Sequence, residues 1–371
     1  MSPLRRTNRF PAPTPGTDPI RVLVVEDSPT VAKLLVEMLE SDPELRVVGV
    51  AEDGLAAVRE AIRLAPDVIT MDVNMPGQDG LEATRQIMNE APTPIIVVSS
   101  TASDRAVALS LDATQAGALM VVPKPEGPLT PNFTQQRDEL IQMTKAMARV
   151  KVVRRWTGQT SGRGQSIPVE HSASFTSPTS VRLVAIGCST GGPAALQQIL
   201  AALPSDFPVP IAIVQHMARG FLDGLANWLA GSSQLRVSVV SDGERLEPGR
   251  AYLAADDRHF DFVSEASGRG RLRARLVDLP TVAGFRPSAS YLFEAAARAV
   301  GSAAVGVVLT GMGNDGVEGL RSLHAINGRV LAQDESSSVV FGMAREAILG
   351  GVVNEVLPLD RIGPRLREVV Q

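Results

Sequence analysis

The chain contains one cysteine, Cys188, and only four histidines among its 371 residues. A single cysteine excludes an internal disulfide framework, and it makes a reducing compartment the expected environment. Four scattered histidines are too few for a metal site that is built from histidine ligands. These two scarcities exclude the disulfide-rich secreted proteins and the proteins that hold a metal ion mainly through imidazoles.

Long apolar runs are also missing, since none approaches the ~20 residues that a membrane-spanning helix needs. Residues 1–19 are polar and proline-rich and lack the apolar segment of a signal peptide, so we expect a disordered leader. The formal net charge of -4 argues against a nucleic-acid-binding surface as the main function. We therefore expect a soluble cytoplasmic protein that neither inserts into a membrane nor binds nucleic acid.

Short apolar runs alternate with helical patterns between residues 20 and 125. This alternation indicates βαβ units and a parallel sheet. Five strand-like runs with intervening helices predict a flavodoxin-like domain with a five-stranded parallel sheet. Residues 132–149 have the apolar spacing of a final helix, so we predict that the first domain extends over residues 20–150.

Residues 151–180 differ from both flanks because they are rich in Ser, Thr and Gly and have no apolar period. Such a composition is typical of a linker. Strand-like and helical runs alternate again over residues 181–371, which predicts a second doubly wound, mostly parallel α/β domain. Within it, "RHFDFV" and "RLRARLV" flank "SEASGRG" and predict a β-hairpin.

The strand ends of the first domain carry charged and polar side chains. In open parallel sheets, sites form at the carboxyl ends of strands, and here these ends carry Glu26, Asp27, Asp72, Ser99 and Lys124. Clustered carboxylates favour a cation, and their oxygen ligands suit Mg²⁺. A carboxylate beside such an ion can attack a phosphoryl group, whose oxygens a hydroxyl and an ammonium could contact. Each residue alone fits a helix cap or a turn equally well.

Four segments, "VLVVEDSP", "MDVNMPGQDG", "IIVVSS" and "VVPKP", resemble the receiver domain of two-component response regulators. The resemblance covers essentially all of residues 20–125. It implies that a partner histidine kinase phosphorylates Asp72. It also implies that Asp27, Asp72 and the backbone carbonyl of Asn74 hold Mg²⁺, with Glu26 helping through a water molecule.

The same resemblance puts Ser99 and Lys124 in the positions that switch with phosphorylation. Two positions depart from the family. Glu26 stands where an aspartate is frequent, which is a mild change. Val121 stands where many receivers carry an aromatic switch residue, so the sequence leaves open how phosphorylation is signalled in this chain.

Three strand ends of the second domain carry the components of an activated nucleophile. Ser189 follows "VRLVAIGC", His216 follows "VPIAIVQ", and Asp315 lies in "TGMGNDG" after "VGVVL". A serine hydroxyl is a weak nucleophile at neutral pH. It needs a histidine to take its proton and an aspartate to hold the imidazole in the right tautomer.

Each of these residues also has a simpler interpretation. Ser189 could cap the helix that Pro193 opens, and the amides of "STGGP" could bind phosphate at the N-terminus of that helix. The missing P-loop lysine weakens the phosphate interpretation. His216 could be a buried core histidine, with His259 competing as the base, and Asp315 could serve a turn.

Residues 187–191 match the G-x-S-x-G pattern of α/β hydrolases. The chain order argues against that family, because its order is Ser, acid, His and the order here is Ser, His, acid. The match is therefore either a coincidence or an independent solution to the same chemistry.

Five further segments resemble the catalytic domain of the chemotaxis protein-glutamate methylesterases, the CheB family: "IGCSTGGPAAL", "QHM", "GFRPSASYLFEAAA", "LTGMGNDGVEGL" and "AQDESSSVVFGMAREAI". The resemblance implies that Ser189 is the nucleophile, His216 the general base and acid, and Asp315 the residue that orients it. It further implies that Thr190 and Met312 shape the oxyanion pocket. It assigns no role to His259, and Cys188 is expected to point into the sheet.

The two resemblances together imply a phosphorylation-activated hydrolase that releases methanol from glutamate γ-methyl esters and deamidates glutamines. The expected partners are methyl-accepting chemoreceptors as substrates and a chemotaxis histidine kinase as phosphodonor. We expect Mg²⁺ in the receiver domain and no cofactor for the ester chemistry. The alternative is a response regulator whose second domain binds an anion or a peptide through "CSTGGP" without turnover.

Overall fold

The computed structural model describes residues 18–99, 104–150, 152, 180–265 and 271–370. The predicted leader and linker lie almost wholly outside these ranges. The described residues form two compact units, one within Met1–Ile96 and Pro125–Lys151 and the other within Val97–Lys124 and Val152–Gln371. This division does not follow the domain boundaries expected from the sequence, which stay predictions.

Strands and helices alternate strictly up to residue 147. The elements are β1 (Ile20–Val25), α1 (Pro29–Glu40), β2 (Leu45–Ala51), α2 (Gly54–Leu64), β3 (Val68–Met71), α3 (Gly80–Glu90), β4 (Ile95–Ser99), α4 (Asp104–Ala116), β5 (Met120–Pro123) and α5 (Phe133–Met147). The strands form one sheet in the order β2-β1-β3-β4-β5, with β1 parallel to both of its neighbours. This is the flavodoxin-like order, so the predicted fold of the first domain is confirmed.

Local sequence fixes where two of these helices begin. The side chain of Asp53 accepts the backbone N–H of Ala56 at 2.7 Å at the start of α2. The side chain of Asp79 accepts that of Glu82 at 2.9 Å at the start of α3. Each aspartate satisfies an N–H group that has no partner inside its own helix. The loops that precede these helices, at the carboxyl ends of β2 and β3, are thereby held in place.

The C-terminal part adds a larger sheet. Its elements are β6 (Leu183–Cys188), α6 (Gly192–Ala201), β7 (Ile211–Gln215), α7 (Leu222–Ser232), β8 (Arg236–Val239), β9 (Arg250–Leu253), β10 (His259–Ser264), β11 (Leu272–Val277), α8 (Ala289–Val300), β12 (Ala304–Val308), α9 (Val317–Ala325), β13 (Arg329–Gln333), α10 (Met343–Leu349), β14 (Glu355–Leu357) and α11 (Leu359–Val370). Seven strands pair in the order β14-β13-β12-β6-β7-β9-β8, all parallel. Strands β10 and β11 form a separate antiparallel hairpin, which confirms the predicted hairpin.

The order of the strands determines where this sheet can carry a site. The chain moves from β6 toward β8 on one side and later returns to β12 on the other side of β6. The crevice at such a switch point, outside the carboxyl ends of the strands, is where doubly wound sheets bind ligands. The loop that contains Ser189 leaves β6 at this point.

Helix α8 packs closely on the central strand β6. At Gly187 an added Cβ would lie 2.8 Å from the Cβ of Ala289, the first residue of α8. The glycine therefore allows the first turn of α8 to approach the carboxyl end of β6. Phe293, on the same helix, is fully buried in the core. None of the helices in the described ranges has the length and apolarity to cross a membrane.

Candidate active site

The ends of β1 and β3 bring together an acidic cluster, Glu26, Asp27 and Asp72. One carboxylate oxygen from each residue lies within 4.8 Å of the others. Glu26 and Asp72 are each 1% exposed, whereas Asp27 is exposed to solvent. Asp72 Oδ1 accepts the backbone N–H of Asn74 at 3.0 Å, which holds the loop after β3 against the cluster. Grouped carboxylate oxygens with one open side are a ligand set that fits Mg²⁺.

Ser99 and Lys124 lie at the ends of the neighbouring strands β4 and β5. The backbone N–H of Lys124 donates to the carbonyl of Ser99 at 2.8 Å. The Ser99 hydroxyl is fully buried and has no hydrogen-bond partner among the described residues. A buried hydroxyl without a partner is costly unless a ligand or a movement satisfies it. Val121, where an aromatic switch residue was noted as missing, is buried within β5.

The register of β6 and β7 places Ser189 beside His216. Cys188 pairs with Gln215 at the ends of these parallel strands, and the backbone N–H of His216 donates to the carbonyl of Cys188 at 2.9 Å. Adjacent strands lie about 4.8 Å apart. The serine and the histidine therefore leave the sheet next to each other.

On its other side, Ser189 contacts the loop that follows β12. Its backbone N–H donates to the carbonyl of Thr310 at 3.0 Å. At Gly311 an added Cβ would lie 2.8 Å from the Cβ of Ser189. The glycine therefore lets this loop, which continues to Asp315, run directly against the serine.

Asp315 and His216 are in direct contact. Nε2 of His216 lies 2.9 Å from Oδ2 of Asp315, and both side chains are almost completely buried. Neither ring nitrogen makes a well-aligned hydrogen bond to any described residue. The contact therefore becomes an ion pair only when His216 is protonated, and the attraction between the two side chains is then stronger.

The carboxylate of Asp315 is surrounded by hydrogen-bond donors from the start of α8. Oδ1 accepts the Ser288 hydroxyl at 2.8 Å and the backbone N–H of Ser290 at 3.0 Å, and Oδ2 accepts the backbone N–H of Ala289 at 2.7 Å. Burial opposes ionisation, but the close contact with His216 and the serine donors outweigh it and lower the pKa of Asp315 to about 2. The positive end of the helix dipole acts in the same direction. Asp315 is therefore ionised at neutral pH.

Two backbone N–H groups beside Ser189 are available to a ligand. Those of Thr190 and Met312 donate to no residue in the described ranges. Thr190 follows the serine directly, and Met312 follows Gly311, which lies against it. The Ser189 hydroxyl likewise donates to no described residue. Free N–H groups next to a serine hydroxyl are the donors that an oxyanion requires.

An aromatic side chain, Phe285, packs against His216, and the sequence did not predict this contact. The ring of Phe285 stacks on that of His216, with centroids 4.0 Å apart and planes 2° apart. Phe285 and Val282 exchange two backbone hydrogen bonds of 3.0 Å, and Ala283 and Gly284 between them have φ of 52° and 86°. This is a turn with two left-handed residues, of the type I′ class. The only signal for it in the sequence is the glycine.

His259, which competed as a base, has a different setting. It is fully buried at the start of β10, where its Nε2 lies 3.0 Å from the carbonyl oxygen of Pro280. Its ring stacks on Tyr291 with centroids 4.5 Å apart. These contacts hold the beginning of the loop that carries Phe285, so the geometry favours a structural role.

Cys188 is buried at the end of β6, as expected. Burial raises the pKa of its thiol, so the sulfur stays protonated at neutral pH. A buried, protonated thiol is a poor nucleophile. The chemistry at this strand end therefore belongs to the serine that follows.

Two family models match the chain. One, described as CheB methylesterase, matches residues 184–366. The other, described as response regulator receiver domain, matches residues 22–130. The two matched ranges do not overlap, and each contains one of the strand-end groups described above.

Named relatives match most of the chain. The protein-glutamate methylesterase/protein-glutamine glutaminase 4 of Myxococcus xanthus is 50% identical over 350 residues, 94% of this chain and 96% of that protein. The protein-glutamate methylesterase/protein-glutamine glutaminase of Nitrosospira multiformis is 45% identical over 354 residues, 95% of this chain and 97% of that one. The crystal structure of the Thermotoga maritima CheB methylesterase catalytic domain is 38% identical with a TM-score of 0.50, covering 52% of this chain and 100% of that chain.

Proposed function

This chain belongs to the CheB methylesterase family, and from that premise we propose that it hydrolyses glutamate γ-methyl esters on chemoreceptors. The reacting groups are Ser189, His216 and Asp315, and the same site deamidates receptor glutamines. The observation that carries the proposal is the contact of His216 with the buried, ionised Asp315, at the strand end next to the serine.

In the proposed reaction, Ser189 Oγ attacks the ester carbonyl while His216 takes the hydroxyl proton. Nε2 faces Asp315 in this structure, so Nδ1 is the ring nitrogen that receives the proton. Asp315 stabilises the imidazolium that forms. The N–H groups of Thr190 and Met312 bind the oxyanion, and one such donor is typically worth about 3 kcal/mol of the barrier.

The tetrahedral intermediate then collapses. His216 passes its proton to the methoxy oxygen, methanol leaves, and an acyl group remains on Ser189. Water, deprotonated by His216, attacks the acyl group and regenerates the serine with a free glutamate carboxylate. With a glutamine substrate the leaving group is ammonia, and the remaining steps are the same.

The receiver part supplies control in this proposal, with Asp72 phosphorylated by a histidine kinase. Mg²⁺ would be held by Asp27, Asp72 and the backbone carbonyl of Asn74, with Glu26 acting through a water molecule. The ion would offset the repulsion between carboxylates and a phosphoryl group. The grouping of the acidic cluster within 4.8 Å supports this assignment.

Two further side chains would contact the phosphoryl group on Asp72. Ser99, whose buried hydroxyl lacks a described partner, would donate to one of its oxygens. Lys124 would neutralise part of its charge. Both lie in the segment Val97–Lys124, which belongs to the same compact unit as Ser189.

Contacts inside the second compact unit support a regulatory route. Asp112 on α4 accepts the indole N–H of Trp228 on α7 at 2.8 Å. The backbone N–H of Gly191 donates to the carbonyl of Leu119 at 3.2 Å, two residues from Ser189. We propose that these contacts hold the nucleophile turn closed, and that phosphorylation shifts the population toward an open arrangement. The enzyme would act in the cytoplasm, where the kinase and the modified receptor helices are.

Methanol release from a methylated receptor tests the proposal. We expect Ser189→Ala to remain folded and to lose turnover by about 10⁴-fold or more, and a phosphodonor to raise the rate of the unaltered chain but not that of Asp72→Asn. Turnover retained by Ser189→Ala would overturn the nucleophile assignment. If the unaltered chain binds receptor without releasing methanol, the second domain is a binding module instead.

A further inference from the structure

Gln215 is the last residue of β7 and directly precedes His216. Its side chain is only 4% exposed. The single carboxamide nitrogen donates to two backbone carbonyls, that of Ser189 at 2.9 Å and that of His216 at 2.8 Å. One side chain thus joins the turn of the nucleophile to the turn of the base, and the proposed reaction does not use it.

Two neighbours determine which way the carboxamide faces. The Cys188 thiol donates to Oε1 at 3.1 Å. A Cβ on Gly192 would overlap with the same oxygen, so the space that the oxygen occupies exists because residue 192 has no side chain. A flipped carboxamide would turn its oxygen toward two carbonyl oxygens and its nitrogen toward a thiol. The observed orientation is therefore the one in which every donor meets an acceptor.

We propose that Gln215 is a positioning residue that keeps Ser189 and His216 at one fixed separation. The inference rests on the proposed function, since it assumes that these two residues react together. The other backbone contacts of Ser189 agree with it: the carbonyl also accepts the N–H of Gly192 at 2.8 Å, and the N–H donates to Thr310 at 3.0 Å. The link supplied by Gln215 is the side-chain bridge from this turn to His216.

A second buried glutamine provides a matched control. Gln333, the last residue of β13, is fully buried; its Oε1 accepts the N–H of Thr310 at 2.8 Å and its Nε2 donates to the carbonyl of Ser337 at 2.7 Å. It makes the same kind of bridge at the same edge of the sheet, but it contacts neither Ser189 nor His216. Removing either carboxamide costs buried hydrogen bonds, and only one removal unlinks the reacting pair.

The first experiment compares Gln215→Met with Gln333→Met in the full chain, using methyl-ester hydrolysis and thermal unfolding. Methionine keeps the length of the side chain and removes the donors. We expect Gln215→Met to lower kcat by about 100-fold with KM nearly unchanged, because small misplacements of reacting groups cost rates of that order. Gln333→Met should lower Tm similarly and kcat much less. Equal kcat losses at equal Tm would overturn the proposal.

The second experiment uses Gln215→Glu, which has almost the same shape. An ionised carboxylate would face the two carbonyl oxygens and repel both, whereas the protonated form still donates one hydrogen bond. We therefore expect kcat relative to the unaltered chain to fall as pH rises, a trend that Gln215→Met does not show. A flat ratio would argue for a packing role.

A variant of Cys188 tests the same bridge from its other side. If Gln215→Glu fails to fold, Cys188→Ala replaces it: loss of the thiol donor should lower kcat severalfold, and the loss should vanish in the Gln215→Met background, because the two residues act through one carboxamide. Additive losses would contradict the proposal.

The proposed function and this inference can fail separately. If the unaltered chain releases no methanol, the proposed function has failed. If the unaltered chain releases methanol and Gln215→Met keeps its kcat, only this inference has failed.

Discussion

Two sheet edges in this chain carry carboxylates at equivalent positions and surround them differently. At the ends of β1 and β3, the acidic cluster groups three carboxylates within 4.8 Å of one another. At the switch point of the larger sheet, Asp315 is the one acid among the described residues that contacts His216, and hydroxyl and amide donors from α8 surround it. The strand-end position is shared, so the neighbours decide the chemistry. Grouped acids favour a cation, and one acid held by donors orients a base.

The donors around Asp315 come from a helix start that is used in an unusual way. In α2 and α3 the capping aspartates, Asp53 and Asp79, immediately precede the helices that they cap. In α8 the residue before the helix is Ser288, whose hydroxyl donates to Asp315 while accepting the N–H of Tyr291 at 3.3 Å. A helix terminus whose amides reach a distant acid can fix the charge of a catalytic group.

The largest effect that separates the two edges is expected from Asp315→Asn. The amide cannot stabilise a protonated His216 and favours the wrong tautomer, so kcat should fall by about 10⁴-fold. Asp334→Asn is the matched control, because Asp334 follows the neighbouring strand β13 and accepts the backbone N–H of Ser337 at 3.0 Å. Steady-state methanol release measures both. Activity above a tenth of normal in Asp315→Asn would remove the aspartate from the reaction.

The acidic cluster should respond to a different measurement, which is Mg²⁺ binding. We expect Asp72→Asn to weaken Mg²⁺ by about 10-fold or more in calorimetric titrations, since it replaces a charged ligand. Asp67→Asn is the control: this carboxylate lies at the opposite end of β3, where it accepts the N–H of Arg21 at 2.7 Å. Equal weakening in both variants would mean that general charge, and not a site, attracts the ion.

The smallest effect concerns stability in acid. The pKa of Asp315 lies at about 2 in the folded chain, below its ordinary value of 3.8. Its ionised form therefore stabilises the fold above about pH 4, and this contribution, about 2 kcal/mol, is lost as pH falls toward 2. The Asp315→Asn protein has no carboxylate to titrate at this position. The difference in free energy of unfolding between it and the unaltered chain, measured with urea, should therefore become smaller as pH falls from about 4 toward 2. Parallel curves would show that the contact with His216 and the donors from α8 together do not favour the ionised form.

Much of the fold could be predicted from the sequence, because strands buried on both faces are apolar runs whose ends are easily located. That is why Ser189, His216 and Asp315 could be named as strand-end residues before any geometry was known. Strand β14 has only three residues, so no strand-like run in the sequence predicts it. A segment that short has no period to detect.

The surroundings of the reacting groups were less predictable. Phe285 reaches His216 from a turn whose two central residues are left-handed, and no periodic pattern encodes that direction. Gln215 adjoins His216 in the sequence, yet its bridge depends on a side-chain orientation that Cys188 and Gly192 impose from another strand and helix. Contacts of this kind arise only when distant segments pack together.

The backbone of Ser189 has one further consequence. Its N–H and its carbonyl are both engaged, by Thr310 on one side and by Gln215 and Gly192 on the other. With the backbone held on both sides, rotation about χ1 among three staggered positions decides where the hydroxyl oxygen of the nucleophile lies. Choosing one of them costs roughly 0.6 kcal/mol of entropy. Orienting the nucleophile for attack is thus a rotation of its side chain, with its own N–H and carbonyl already held in place.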